Sequence, residues 1–130
     1  MWEILTVALG GSIGAVARYL IYIWTVAVFG KTFPYGTLFV NVVGCFIIGF
    51  FMTTITGKFA HNDFLNSYGR LLVTVGFLGA LTTFSSFSYE TFELLRQEAL
   101  GLAFLNIATN LILCLLFTWI GINTAKLIYS

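Results

Sequence analysis

The residues best suited to chemistry lie in one stretch: Gly76-Phe77-Leu78-Gly79-Ala80-Leu81-Thr82-Thr83-Phe84-Ser85-Ser86-Phe87-Ser88-Tyr89-Glu90. Two glycines followed by consecutive β-branched threonines make a weak place in a helix. A break at membrane depth frees backbone carbonyls, which is tolerated only inside protein or along a watery cavity. Such carbonyls are hard oxygen ligands suited to Na⁺. Beyond the break, Thr83, Ser86 and Glu90 recur at helical spacing and build one polar face. Phe84 and Phe87 stand on a neighbouring face. Hydroxyls donate hydrogen bonds, and a phenyl ring presents a positive edge from its quadrupole. Both suit a small anion. A packing seam is the plainer reading of the rings, but hydroxyls at this density would go unsatisfied in lipid.

Other polar groups fall inside apolar runs: Arg18, Asn41, Asn106 and Asn110. Ionisable or strongly polar groups at such depth are costly and point to function by default. Asn106 and Asn110 are one turn apart and share a face. One buried Asn reads as an interhelical hydrogen bond, worth about 0.6 kcal/mol; three in one small bundle favour a polar pathway. Arg18 suits either snorkelling from the end of a short helix or an electropositive vestibule. Cys45 and Cys114 form no C-x-x-C pair and no Cys/His cluster, so inert buried thiols are expected there. His61, beside Asn62 and Asp63, reads as a solvated loop histidine.

The elements that must carry these residues are four long apolar runs, at about 4–29, 35–56, 69–95 and 99–128. Each is near the ~20 residues that span the hydrocarbon core of a bilayer. Pro34, the only proline, precedes the second run, where its fixed φ fits a helix start. The first run carries Glu3 at its amino end and is too long for a signal peptide, so it reads as a retained helix. Composition agrees. Only 8% of the 130 residues are charged and 59% are hydrophobic, which could not cover the surface of a soluble domain without large apolar patches. The net charge of +1 offers no basic patch, so nucleic acid is not an expected partner. The chain therefore reads as a single four-helix transmembrane domain over residues 1–130, an all-α membrane protein with a break in the third helix.

With four spans, both termini and the 57–67 connector share one side of the membrane. That side holds Lys58, Arg70 and Lys126, and the other holds Lys31 and Arg96. Orientation follows the Lys/Arg excess on the cytoplasmic side, and here the excess is a single charge. Insertion both ways, followed by assembly as an antiparallel homodimer, is one physical reading; orientation by a single charge or by a partner is the other. Gly10 and Gly14 form a small-xxx-small pair, and Gly44 and Gly49 thin the second helix, all suited to close helix approach.

Three segments resemble the Fluc/CrcB fluoride channel family, and the likeness runs over essentially the whole chain. Gly10-Gly11-Ser12-Ile13-Gly14-Ala15-Val16-Ala17-Arg18-Tyr19 is similar to the family's first-helix motif, and Gly36-Thr37-Leu38-Phe39-Val40-Asn41-Val42-Val43-Gly44 to its second. Gly76 to Glu90 resembles its third-helix signature. The resemblance implies a dual-topology antiparallel homodimer with two fluoride pores and one central structural Na⁺. It also implies that backbone carbonyls of Gly79 and Thr82 hold that sodium. The pathway carried over comprises Asn41, Phe84, Phe87, Thr83, Ser86 and Glu90, with Asn106 and Asn110 fitting a fourth-helix pattern. Ala80 stands where the family usually has Gly, and Leu113-Cys114 where Gly-Ser is common; Cys114 is a weaker donor than Ser.

The function expected is passive, selective F⁻ conduction in a cell inner membrane that lets cytoplasmic fluoride escape and so protects against its toxicity. No nucleophile–base pair or metal cluster points to an enzyme. The rival is a small multidrug-type proton-coupled antiporter, also a four-helix dual-topology dimer. It needs a carboxylate deep in the first helix, where this chain has Arg18 and keeps Glu3 at the membrane edge.

Overall fold

The computed structural model describes residues 1–129. Four long helices form, because each apolar run satisfies its own backbone hydrogen bonds as a helix. The chain order is α1 (Trp2–Phe29), α2 (Tyr35–Gly57), a π-wound segment π1 (Leu65–Leu78), a single turn α3 (Gly79–Leu81), α4 (Phe84–Arg96) and α5 (Leu100–Tyr129). Taken together, π1, α3 and α4 make the third span, Leu65–Arg96, and all four spans are long and apolar enough to cross a membrane. The third begins earlier than the expected position 69, because Asn62 Oδ1 accepts the Leu65 N–H at 2.9 Å and starts the winding in the connector.

The spans associate in two pairs. α1 lies along π1 and α3, and α2 lies along α5. Glycines set the closeness of both pairs. A side chain at Gly10 would strike the backbone of Leu72 and Phe77, and one at Gly14 the backbone of Phe77. Gly49 and Gly121 likewise bring α2 and α5 together, against the backbones of Thr118 and Phe46. Lipid tails supply no hydrophobic drive between helices, so this backbone approach carries the packing.

Little of the surface is polar. Leu9, Ile13 and Val16 on α1 are exposed, as are Phe104, Leu111 and Leu115 on α5; the bilayer is the solvent that makes such faces stable. Aromatic groups gather near both ends. Trp24, Phe29 and Tyr35 form one set of ring contacts at 5.0–6.2 Å, with Phe39 beside Trp24. At the other end Lys58 Nζ sits 4.5 Å from the Tyr129 ring. Amphipathic rings belong at headgroup level. The α1–α2 connector turns at Gly30, whose φ of 78° suits glycine, and is held down by the buried Phe33.

Candidate functional site

The third span breaks at Thr82 and Thr83. Both are extended, with φ/ψ of −84°/156° and −155°/115°. β-Branched side chains accept this backbone readily, but the break is held from outside by Asn41 on α2. Asn41 Oδ1 accepts the Thr83 N–H at 2.9 Å, and Asn41 Nδ2 donates to the Thr83 carbonyl at 3.3 Å. The side-chain amide thus pairs with Thr83 as a neighbouring strand would.

The carbonyls of the turn before the break lose their helical donors as a consequence, and for two of them the structure shows where the donor goes. In an unbroken helix the Thr83 N–H would bond the Gly79 carbonyl, and the Ser86 N–H would bond that of Thr82. Asn41 takes the first donor. The Thr83 hydroxyl takes the second, accepting the Ser86 N–H at 3.1 Å as the cap of α4. Gly79 and Thr82, the carbonyl pair that the family resemblance implied, are therefore among the residues at 79–82 whose helical donors are lost across the break. The Thr82 hydroxyl is itself engaged, donating to Leu78 O at 2.9 Å.

An amide chain runs on from Asn41. Its Nδ2 donates to Asn110 Oδ1 at 3.1 Å, and Asn110 Nδ2 donates to Asn106 Oδ1 at 3.0 Å. Asn106 Nδ2 then donates to Thr91 Oγ1 at 2.9 Å, and that hydroxyl donates to Phe87 O. α2, the break, α5 and α4 are stitched together by four side chains. Asn106, with 0% exposure, is wholly internal. Sequence reasoning placed the three asparagines together but missed Thr91, which sits one turn after Phe87.

Two cavities flank the break. The larger, about 450 Å³, is lined by Asn41, Gly79, Thr82, Phe84, Phe87 and Asn110 among others. The smaller, about 350 Å³, is lined by Arg18, Tyr22, Thr37, Ser86 and Glu90. Thr83 lines both. The sequence-predicted residues are therefore brought to one continuous region around Thr83, with Asn106 alone lying off the cavity walls. Phe84 and Phe87 stand with ring centroids 5.3 Å apart, yet Phe84 is 76% exposed while Phe87 is 8% exposed. Phe84 projects from the chain.

In the smaller cavity the Thr37 hydroxyl donates to Glu90 Oε1 at 2.8 Å. Glu90 Oε2 is buried and has no hydrogen-bond partner. Thr37 was not singled out from the sequence, although it lies one turn before Asn41 and so shares its face of α2. Arg18 is half-buried and lines this same cavity. The cavity wall thus carries one cationic side chain, Arg18, and one acidic side chain, Glu90, among hydroxyls and tyrosines.

The family model described as "CrcB-like protein, Camphor Resistance (CrcB)" matches residues 5–122. The chain belongs to the CrcB family. Among its relatives is a protein of Geobacter metallireducens named "Fluoride-specific ion channel FluC", 46% identical over 127 residues, covering 97% of this chain and 98% of the relative. Proteins of the same name from Geotalea daltonii and Dehalococcoides mccartyi are 40% and 45% identical; the alignments cover 98% of this chain in each case, and 100% and 95% of the relatives. The CrcB-family match embraces every cavity residue named above. The chain is a multi-pass membrane protein.

Proposed function

We propose that this CrcB-family chain is a fluoride-selective passive channel of the cell inner membrane, working as an antiparallel homodimer. The observation that carries the reading is the pair of cavities meeting at Thr83, with donors, ring edges and a cation along one path. The names of its relatives agree with it. Arg18 attracts the anion into the smaller cavity. The hydroxyls of Thr83 and Ser86 replace water as donors, a requirement for an ion that holds its hydration shell strongly. Asn41 contributes by giving up its longer bond, the 3.3 Å contact to the Thr83 carbonyl. Phe84 and Phe87 offer ring edges. Asn106 acts at one remove, holding Asn110 and thereby Asn41.

The carbonyls of Gly79 and Thr82, whose helical donors are redirected, fit a hard monovalent cation, and both residues line the larger cavity. A Na⁺ there would supply a fixed positive charge near the path and tie the break of one subunit to that of its partner. Phe84, exposed in the single chain, is completed by a second copy. Protection against fluoride follows from weak-acid chemistry. HF crosses membranes, ionises in the cytoplasm, and leaves F⁻ trapped until a passive path lets it out.

Fluoride efflux from liposomes, with and without a K⁺ path to dissipate charge, tests this. Efflux that requires the K⁺ path marks electrogenic conduction. Efflux indifferent to it, or driven by a proton gradient with a cationic drug, would put an antiporter in its place.

A further inference from the structure

α2 and α5 run parallel and in register, and the register brings the chain's two thiols together. Asn41 bonds Asn110, and Gly49 abuts the backbone of Thr118. Cys45 and Cys114 lie one turn along from the first contact and one turn before the second, at the same offset between the helices. Both thiols are half-buried, both are free, and both line the larger cavity. Their separation in sequence hides the pair from any local motif.

We propose that Cys45 and Cys114 form a two-thiol site for a soft divalent d¹⁰ cation that accepts two ligands, with Hg²⁺ as its probe. Three features select this class. Thiolate sulfur favours soft ions over Na⁺ or Mg²⁺. Among the described residues no group of three or more His, Cys, Asp or Glu could complete a four-ligand zinc site. Charge decides the rest: two thiols bind one divalent ion by releasing two protons, leaving a neutral bis-thiolate, whereas Cu⁺ or Ag⁺ would leave a net charge in a low-dielectric setting. The balance is two R–SH plus Hg²⁺ giving Hg(S–R)₂ plus two H⁺, with no oxidant or reductant. Nothing in this site depends on fluoride conduction.

The test is titration of the purified full-length protein in detergent with Hg²⁺, following sulfur-to-metal charge-transfer absorbance, proton release and thiols left reactive to a disulfide reagent. The expected result is one Hg²⁺ per chain, two protons released, and both thiols lost together. Two Hg²⁺ per chain, each taking one thiol, would overturn the proposal without recourse to any variant. Two pre-positioned ligands gain roughly 10²–10⁴-fold over one, so Cys45→Ser and Cys114→Ser should each weaken binding by that factor. Wild-type affinity in a monodisperse single variant, Ser or Ala, would equally defeat it. So would mercury-linked subunits on a non-reducing gel, which would place the ligands across two chains.

Discussion

Asn41 has more asked of it than any other side chain. One amide accepts from Thr83 N–H, donates to Thr83 O, and begins the chain that reaches Asn110, Asn106 and Thr91. Asn41→Leu keeps much of the volume and removes all three contacts, leaving the buried Thr83 N–H without its partner. An orphaned buried donor costs about 1–3 kcal/mol, which at ~1.4 kcal/mol per decade corresponds to a loss of roughly five- to hundredfold in flux. Fluoride efflux per dimer is the measurement, and wild-type flux would remove Asn41 from the pathway. The two rings separate differently. Phe84→Ile should lower flux roughly three- to tenfold, the worth of an edge contact of ~0.5–1.5 kcal/mol, without harming the subunit fold. Phe87→Ile should lower both flux and stability, since Phe87 is 8% exposed and Phe84 76%. Dimer yield and flux measured on one preparation distinguish these outcomes, and full flux with Ile at both positions would return the rings to packing alone.

At the scale of the element, the third span is a helix interrupted by borrowed hydrogen bonds. The proposed sodium at the Gly79 and Thr82 carbonyls predicts a distinctive mutational pattern. Thr82→Ser should keep it, because the ligand is backbone and a serine hydroxyl can still donate to Leu78 O. Gly79 helps by its lack of bulk rather than by special dihedrals: its φ is −60°, and a Cβ there would meet nothing closer than Thr74 O at 3.8 Å. Gly79→Val should therefore leave the subunit folded while crowding the larger cavity and abolishing Na⁺-dependent dimer stability. Thermal melting of the dimer across a Na⁺ series, after exchange long enough to empty a slow site, checks both variants. Melting indifferent to Na⁺ in the wild type would mean that the carbonyls serve another partner.

For the whole molecule the open variable is orientation. A one-charge bias between the two sides, Lys58, Arg70 and Lys126 against Lys31 and Arg96, should yield both orientations in one cell population. Labelling a cysteine tag at one terminus from each side of the membrane reveals the mixture, and uniform one-sided labelling would exclude dual topology. Two lysines added within 57–67 should trap one orientation and abolish function until an oppositely biased copy is co-expressed.

Membrane residence and the four spans were legible in the sequence because a bilayer demands long apolar helices and little else, a one-dimensional rule. The weak place at Gly79 to Thr83 was legible too, since it follows from local backbone preference. Hydrogen-bond identity was not. Asn41 meets Thr83, Thr37 meets Glu90 and Asn106 meets Thr91 only because glycine-lined helices settle at one depth and register. The same register aligns Cys45 with Cys114, residues that looked inert when read apart. Composition and periodicity specify which face of a helix is polar; how far one helix slides along another is set by backbone contact between distant segments, and that sliding decides which polar groups become partners.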